Sequence, residues 1–112
     1  MTKTFHLGDI LSISTGHLVA PTGMSGIYTI LNFMTGDNLF THQLPRPMDE
    51  CRPHLLRQFP WLDMIDTRSL DGDTWQYWLA DQVDAHGEYH EVSPVRRDDH
   101  DVRDPLEELQ AM

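Results

Sequence analysis

The sequence lacks the features of a membrane, secreted or disulfide-bonded protein. Its 112 residues include a single cysteine, Cys51, which excludes an internal disulfide and any multi-cysteine zinc site. No apolar run approaches the roughly 20 residues that a membrane-spanning helix needs. The opening residues, MTKTFHLGDIL, contain no apolar stretch of signal-peptide length. These absences predict a protein of the reducing cytoplasm that makes no use of a membrane.

Catalytic and nucleotide-binding motifs are absent too. The sequence contains no Walker A, dinucleotide-type glycine, GxSxG or HExxH pattern, and Gly23 and Gly26 are too isolated to cradle a phosphate. There is no repeat of fixed period and no low-complexity tract. We therefore expect a non-enzymatic protein without a cofactor.

What the sequence does contain is enough apolar surface for one small domain. Hydrophobic residues make up 39% of the chain and aromatic residues 9%, which supports a modest core. We expect a globular domain over residues 1–95. The following letters, RRDDHDVRD, include one apolar residue in nine, so residues 96–112 are expected to form an acidic tail. Inside this tail, the letters DPLE resemble a helix start and predict a short helix over residues 105–110.

Apolar residues at helical spacing predict four helices in the domain. They cover residues 8–15, 26–35, 53–59 and 74–86. Ser25 and Asp73 are the expected N-caps of the second and fourth helices. Pro53 suits the first turn of the third helix, and we therefore expect a break near Cys51 before it.

Short extended segments predict a small sheet beside these helices. The candidate strands are residues 17–20, 39–44 and 89–95, and residues 61–72 are expected to be an irregular connection. The fold class is therefore α+β, mostly helical, with a two- or three-stranded sheet. The expected core consists of Ile30, Leu31, Leu55, Phe59, Trp75, Trp78 and Leu79.

The strongest signal in the sequence is an uneven distribution of charge. Residues 1–60 carry four acidic and four basic side chains, whereas residues 61–112 carry fourteen acidic and four basic ones. The formal net charge of −10 therefore comes entirely from the second half. A negative field repels nucleic-acid phosphates and attracts basic protein surfaces. This pattern predicts a protein partner with a basic surface and no direct contact with nucleic acid.

The candidate contact residues lie between residues 61 and 95. Trp75 and Trp78 share one helix face and are expected to pack in the core, while Tyr77 points away from them and is the expected exposed anchor. Acidic residues surround this helix. The predicted partner-binding set is Asp63, Asp66, Asp71, Asp73, Tyr77, Asp81, Asp84, Glu88 and Glu91.

The sequence gives little support for a metal site, a calcium loop or a cysteine nucleophile. His86 and His90 are four residues apart, but Gly87 lies between them and is expected to end the helix, so a metal site is disfavoured. The run Asp98–Asp101 lacks the spacing of a calcium loop. Cys51 and His54 are too close in sequence to suggest a nucleophile and its base, and a thiol that is either packed or merely exposed is expected.

Several segments resemble a family of small, uncharacterised proteins encoded by bacteriophages and prophages. They are FHLGDILSISTGHLVAP (Phe5 to Pro21), GIYTILNFMTGDNLFTHQLPR (Gly26 to Arg46) and CRPHLLRQFPWL (Cys51 to Leu62). The later segments WLADQV and GEYHEVSPV are similar to the ending of the same family. The family has no assigned catalytic residues. The resemblance implies a small phage accessory protein that acts in the cytoplasm of a bacterial host.

Small acidic phage proteins without catalytic motifs often resemble inhibitors of host defence, including anti-CRISPR proteins. Together with the charge, this association predicts a DNA-mimic inhibitor that covers a basic, nucleic-acid-handling surface of a host protein complex. The alternative is a phage regulatory or assembly module that binds through apolar and aromatic residues as a homodimer. A third hypothesis is a small enzyme that depends on Cys51 or on a metal.

Overall fold

The computed structural model describes residues 1–95 and 105–110. Over these residues the chain is mostly helical and carries one short sheet, as the α+β prediction requires. The elements in chain order are β1 (Lys3–His6), α1 (Leu7–Thr15), α2 (Met24–Thr35), a first 3₁₀ helix (Thr41–Gln43), α3 (Pro45–Gln58), a second 3₁₀ helix (Pro60–Met64), α4 (Trp75–His86), β2 (Tyr89–Val92) and α5 (Pro105–Gln110).

The sheet has two antiparallel strands, β1 and β2, with Phe5 opposite His90. The predicted strand at residues 89–95 is confirmed for its first four residues, but its partner β1 was not predicted. The predicted strands at 17–20 and 39–44 are wrong. In the first, the Val19 N–H donates to Ser12 Oγ on α1 at 3.0 Å, so a serine and not a strand anchors this segment.

The first two helices form where hydrophobic spacing predicted them. Helix α1 begins after His6, whose Nδ1 accepts a hydrogen bond from the Gly8 N–H at 2.9 Å. Helix α2 begins after Gly23, two residues earlier than predicted. Ser25 therefore lies in the first turn of α2 and is not its N-cap. The apolar stripe that predicted both helices faces the core, because their aliphatic residues are buried.

Helix α3 differs most from its prediction, because it runs without interruption through Pro53. The expected break near Cys51 is absent. Cys51 and Leu55 are both fully buried on the inner face, while Pro53 lies on the exposed face. Packing on the inner side therefore holds the helix together across the backbone bond that proline cannot make.

The segment before α3 also forms a helix where a strand was predicted. Residues 41–43 make a 3₁₀ turn, and the Gln43 side chain turns back so that its Oε1 accepts from the Phe40 N–H at 3.0 Å. Gln43 is almost completely buried. The loose alternation of apolar residues in this segment therefore does not indicate a strand. A core position is filled by the polar side chain of Gln43, which bonds to the backbone of a nearby residue, Phe40.

The core lies between α1, α2, α3 and the inner face of α4. Five of the seven predicted core residues are buried, and the remaining two, Phe59 and Trp75, are half-buried and pack against the others. The buried five are Ile30, Leu31, Leu55, Trp78 and Leu79. Within the described ranges, none of the helices has both the length and the apolar character needed to cross a bilayer.

Candidate functional site

All nine residues of the predicted contact set are exposed. The stretch of residues 61–95 contains eight carboxylates and one arginine, Arg68. Helix α4 forms the centre of this region, preceded by the segment 65–74 and followed by β2. We refer to the set as the acidic surface: Asp63, Asp66, Asp71, Asp73, Tyr77, Asp81, Asp84, Glu88 and Glu91.

Helix α4 presents three of these residues along one face. Tyr77, Asp81 and Asp84 are spaced four and three residues apart, which places them on the same side of a helix. Tyr77 is 76% exposed. On the opposite side, the Trp78 Nε1–H donates to the Asp66 carbonyl oxygen at 3.0 Å. Trp78 therefore fixes the rotation of α4, and this rotation turns the acidic face toward solvent.

Asp71 and Asp73 lie at the N-terminal end of α4. The prediction that Asp73 caps α4 is wrong. Asp71 forms the side-chain hydrogen bonds at this end, because its Oδ1 accepts from the backbone N–H groups of Asp73 and Thr74, at 2.8 and 2.9 Å. These bonds, led by the one from Thr74, lower the pKa of Asp71 below its ordinary value. Asp71 is therefore ionised at neutral pH and sits where the helix dipole favours a negative charge.

Within the part of the chain that the structure describes, Asp66 is the one member of the acidic surface that pairs with an arginine. Both of its oxygens contact Arg68, with Nη2 at 2.8 Å from Oδ2. Hydrogen bonds from the Arg68 side chain are the main cause that lowers the pKa of Asp66 to about 2. Asp63, in the second 3₁₀ helix, is exposed beside Met64, which is 82% exposed.

Glu88 and Glu91 extend the acidic surface beyond the C-terminal end of α4. Glu88 follows Gly87, and its Oε1 lies 3.4 Å from Nε2 of His6. Glu91 is on β2, opposite Thr4. Asp71, Asp73, Tyr77, Asp81, Asp84 and Glu88 lie on α4 or within four residues of its ends, and we refer to them as the strip; Asp63, Asp66 and Glu91 lie on neighbouring segments.

Most carboxylates of the acidic surface have no ion-pair partner among the described residues. Within residues 1–95 and 105–110, no cationic side chain forms an ion pair with six of its carboxylates, namely Asp63, Asp71, Asp73, Asp81, Asp84 and Glu91. Helix α3 is different, because Arg46 pairs with Glu50 and Arg52 pairs with Asp49. The fold thus pairs both carboxylates of α3 with arginines, whereas most carboxylates around α4 have no ion-pair partner within residues 1–95 and 105–110.

A groove of about 300 Å³ runs along one flank of α4. Leu79 and Val83 of α4 and Pro21 from the loop after α1 supply its apolar lining, and Asp84, Glu88 and His6 supply its polar lining. We refer to it as the α4 groove. Asp84 and Glu88 belong to the predicted contact set, whereas His6 was not predicted. No local pattern marks His6, because its place in the groove depends on contacts that join α1, β2 and α4.

Cys51 is fully buried inside α3. Desolvation, with a smaller contribution from the charge of Glu50, raises its pKa to about 12. The thiol is therefore protonated at neutral pH and is a poor nucleophile. The ring of His54 lies against Arg57, with Nη2 2.8 Å from Nδ1. Of the two expected states, packed or exposed, the thiol is in the packed one.

His86 and His90 lie against an aromatic side chain. His86 stacks on Trp61 with ring centroids 4.2 Å apart and planes 8° from parallel, and His90 contacts the rings of Trp61 and Phe59. Among the described residues, no three or more His, Cys, Asp or Glu side chains are grouped so as to hold a metal ion. The run Asp98–Asp101 lies outside the described residues.

Comparison with known proteins adds one relationship. No curated protein and no solved structure matches the chain. A family model described as a domain of unknown function, DUF7736, matches residues 5–65. This match begins in β1, ends after the second 3₁₀ helix and includes Asp63 but no other member of the acidic surface. Since it covers more than half of the sequence, the chain belongs to the DUF7736 family.

Proposed function

We propose that this protein is a binding module that docks the acidic surface around α4 onto a basic surface of a partner protein. The observation that carries the proposal is the set of exposed carboxylates along α4 that have no ion-pair partner among the described residues. Several uncompensated charges of one sign on one element produce a field that steers a partner of opposite charge.

Tyr77 supplies the apolar contact that charge alone does not provide. It is 76% exposed and lies between the acidic residues of the strip. Exposed tyrosines surrounded by polar residues are frequent centres of binding energy in interfaces, because a rigid ring buries a large area and its hydroxyl can still form a hydrogen bond. We expect Tyr77 to lie at the centre of the interface, with the carboxylates around it.

The cellular role that we propose follows from the sequence resemblance to phage proteins. The partner is a host protein complex whose basic surface handles nucleic acid, and the acidic surface competes with phosphates for that surface. The protein is then an inhibitor of a bacterial defence system, comparable to anti-CRISPR proteins, and acts in the host cytoplasm. The same charge disfavours its own contact with nucleic acid.

Affinity capture with matched variants tests the proposal. The bait is the full chain, and the prey is an extract of phage-infected bacteria. The variant D73N/D81N removes two carboxylates of the strip, and the control D37N/D49N removes two that lie elsewhere, so both have the same net charge. We expect the wild type and D37N/D49N to retain the same protein and D73N/D81N to retain at least about tenfold less, which corresponds to roughly 1.4 kcal/mol.

Two results would contradict the proposal. In the first, D73N/D81N and D37N/D49N retain the same amount of partner, so that the location of the charges makes no difference. In the second, Tyr77→Ala leaves capture unchanged, and the interface is then elsewhere. Circular dichroism of each variant is the control for folding, and we expect unchanged spectra because all of these positions are partly or fully exposed.

A second function is favoured by a different surface. Helix α5 contacts the first 3₁₀ helix, and Phe40, Leu106 and Leu109 in this region are each at least half exposed. Apolar side chains grouped in this way are typical of protein interfaces. The alternative is therefore a homodimeric regulatory or assembly module. Sedimentation equilibrium at several concentrations tests it: a dimer that Phe40→Ser dissociates would support this function, and a monomer at all concentrations would contradict it.

A further inference from the structure

The α4 groove combines an apolar lining with negative charge at its edge. Leu79 is only 7% exposed, and Val83 is half-buried. Asp84 and Glu88, by contrast, are exposed, so their carboxylates keep acceptor sites available to a partner. A volume of about 300 Å³ is at the lower limit of roughly 300 to 1,000 Å³ for small-molecule sites. Its size therefore fits one side chain better than a cofactor.

His6 organises the acidic end of this groove. Its Nδ1 accepts the hydrogen bond from the Gly8 N–H, which leaves Nε2 as the ring nitrogen that faces Glu88. That nitrogen lies 3.4 Å from Glu88 Oε1, and Tyr89 packs edge-on against the ring at 5.5 Å. The ring is held by contacts with α1 and β2. Glu88 is thereby positioned beside the groove while its second oxygen remains available.

We propose that the α4 groove receives an arginine side chain of the partner protein, an inference that rests on the function proposed above. The three methylene groups of arginine suit the apolar lining of Leu79, Val83 and Pro21. Its planar guanidinium presents several donors at once to Asp84 and Glu88, whereas lysine offers a single compact charge. The negative edge disfavours an anionic occupant, and the groove is shallow and open, which suits a single side chain that projects from a larger partner surface.

An NMR titration of the full, isotope-labelled chain tests the inference. The probe is the blocked tripeptide acetyl-Ala-Arg-Ala-amide. The comparison peptides replace arginine by citrulline, which has nearly the same shape without the charge, or by lysine. We expect saturable shifts of the backbone amides of Leu79, Val83, Asp84 and Glu88. The citrulline peptide should bind at least about tenfold more weakly. Hydrogen bonds that involve charged groups contribute roughly 1 kcal/mol more than neutral ones, and the guanidinium forms more than one.

Paired variants locate the effect. D84N/E88Q removes both carboxylates of the groove, and D37N/D49N makes the same change in net charge elsewhere. We expect D84N/E88Q to lose binding of the arginine peptide by at least about tenfold and D37N/D49N to change it by less than about twofold. Equal binding of the arginine and lysine peptides, or shifts spread over Asp63, Asp73 and Glu91, would overturn the inference.

Failure of this inference is distinguishable from failure of the proposed function. If D84N/E88Q captures the partner from extract as well as D37N/D49N does, while D73N/D81N does not, the acidic surface binds but the groove takes no arginine. If D73N/D81N also captures normally, the proposed function itself is wrong.

Discussion

In the first turn of α1, Asp9 has a carboxylate oxygen, Oδ1, that is buried and accepts no hydrogen bond within the described part of the chain. It lies against Gly26, where a Cβ atom would collide with this oxygen and approach Thr22 Oγ1 to 2.8 Å. Desolvation raises the pKa of Asp9 above the ordinary 3.8, and the charge of His6 partly offsets this. The first two helices thus pack closely at the expense of one poorly solvated charge.

The replacement Asp9→Asn should stabilise the protein at neutral pH. Because the folded state raises the pKa, it binds the proton more tightly than the unfolded state does. The free energy of unfolding of the wild type therefore falls as pH rises from about 3.8 through the folded-state pKa. We expect Asp9→Asn to unfold at a higher denaturant concentration at pH 7, because its free energy of unfolding exceeds that of the wild type by on the order of 1 kcal/mol.

The pH dependence separates this cause from a general gain in packing. Urea denaturation of both proteins over a range of pH is the measurement. The advantage of Asp9→Asn should be fully developed above the folded-state pKa and should vanish when both states of the wild type are protonated. A gain that is equal at every pH would contradict the explanation by charge.

Among the secondary-structure elements, α3 carries the clearest internal conflict. Pro53 lies inside the helix, at an exposed position, where it removes one backbone hydrogen bond. We expect Pro53→Ala to raise the free energy of unfolding by about 1 to 3 kcal/mol, since proline in a helix interior costs up to roughly 3 kcal/mol relative to alanine.

Urea denaturation measures this change, and the slope of the transition should stay the same. The control is Pro45→Ala, because Pro45 begins α3, where proline fits the first turn and its loss is nearly neutral. Equal effects of the two substitutions would show that the position of Pro53 inside the helix has no energetic significance.

Local patterns predicted α1, α2 and α4 well because each has an apolar stripe that matches the side it buries. They did not predict the N-terminal half of α3. Proline ordinarily breaks a helix, but here the buried residues Cys51 and Leu55 hold the helix by packing against the core. Strand β1 escaped prediction because it has four residues, of which only Phe5 is buried. A strand this short is defined by its partner, and β2 lies more than eighty residues away.

The contact set shows the same division between local and distant information. Exposure of all nine residues followed from their polarity and their spacing on α4. The pairing of Asp66 with Arg68 joins residues two positions apart and was within reach of the sequence. The α4 groove could not be predicted from the sequence. It forms only because His6 and Pro21 contact α4, which is more than fifty residues away along the chain.

At the scale of the whole molecule, the family match and the folded unit do not coincide. The DUF7736 match ends at residue 65, yet Trp78, Leu79 and Val92 are buried in the same core, and β2 is the partner of β1. The segment with the acidic surface is therefore also a structural part of the domain. Charge is concentrated on elements whose inner faces complete the core.

This arrangement predicts that residues 1–65 do not form the native structure alone. Without α4 and β2, strand β1 has no partner and the core loses its cover. We expect the fragment to show no cooperative thermal transition, whereas residues 1–95 should unfold in a single transition. Calorimetry of both fragments is the measurement, and a cooperative transition of the shorter fragment would contradict this account of the core.

The most direct test of the account as a whole is the salt dependence of partner binding. The dissociation constant of the captured protein is measured by surface plasmon resonance between about 0.05 M and 0.5 M sodium chloride. Over this range the screening length falls from above roughly 10 Å to well below it. We predict that binding weakens at least about tenfold over this range, and that the dependence is shallower for D73N/D81N than for D37N/D49N. Binding that stays constant from low to high salt would contradict the claim that the uncompensated carboxylates around α4 recognise the partner.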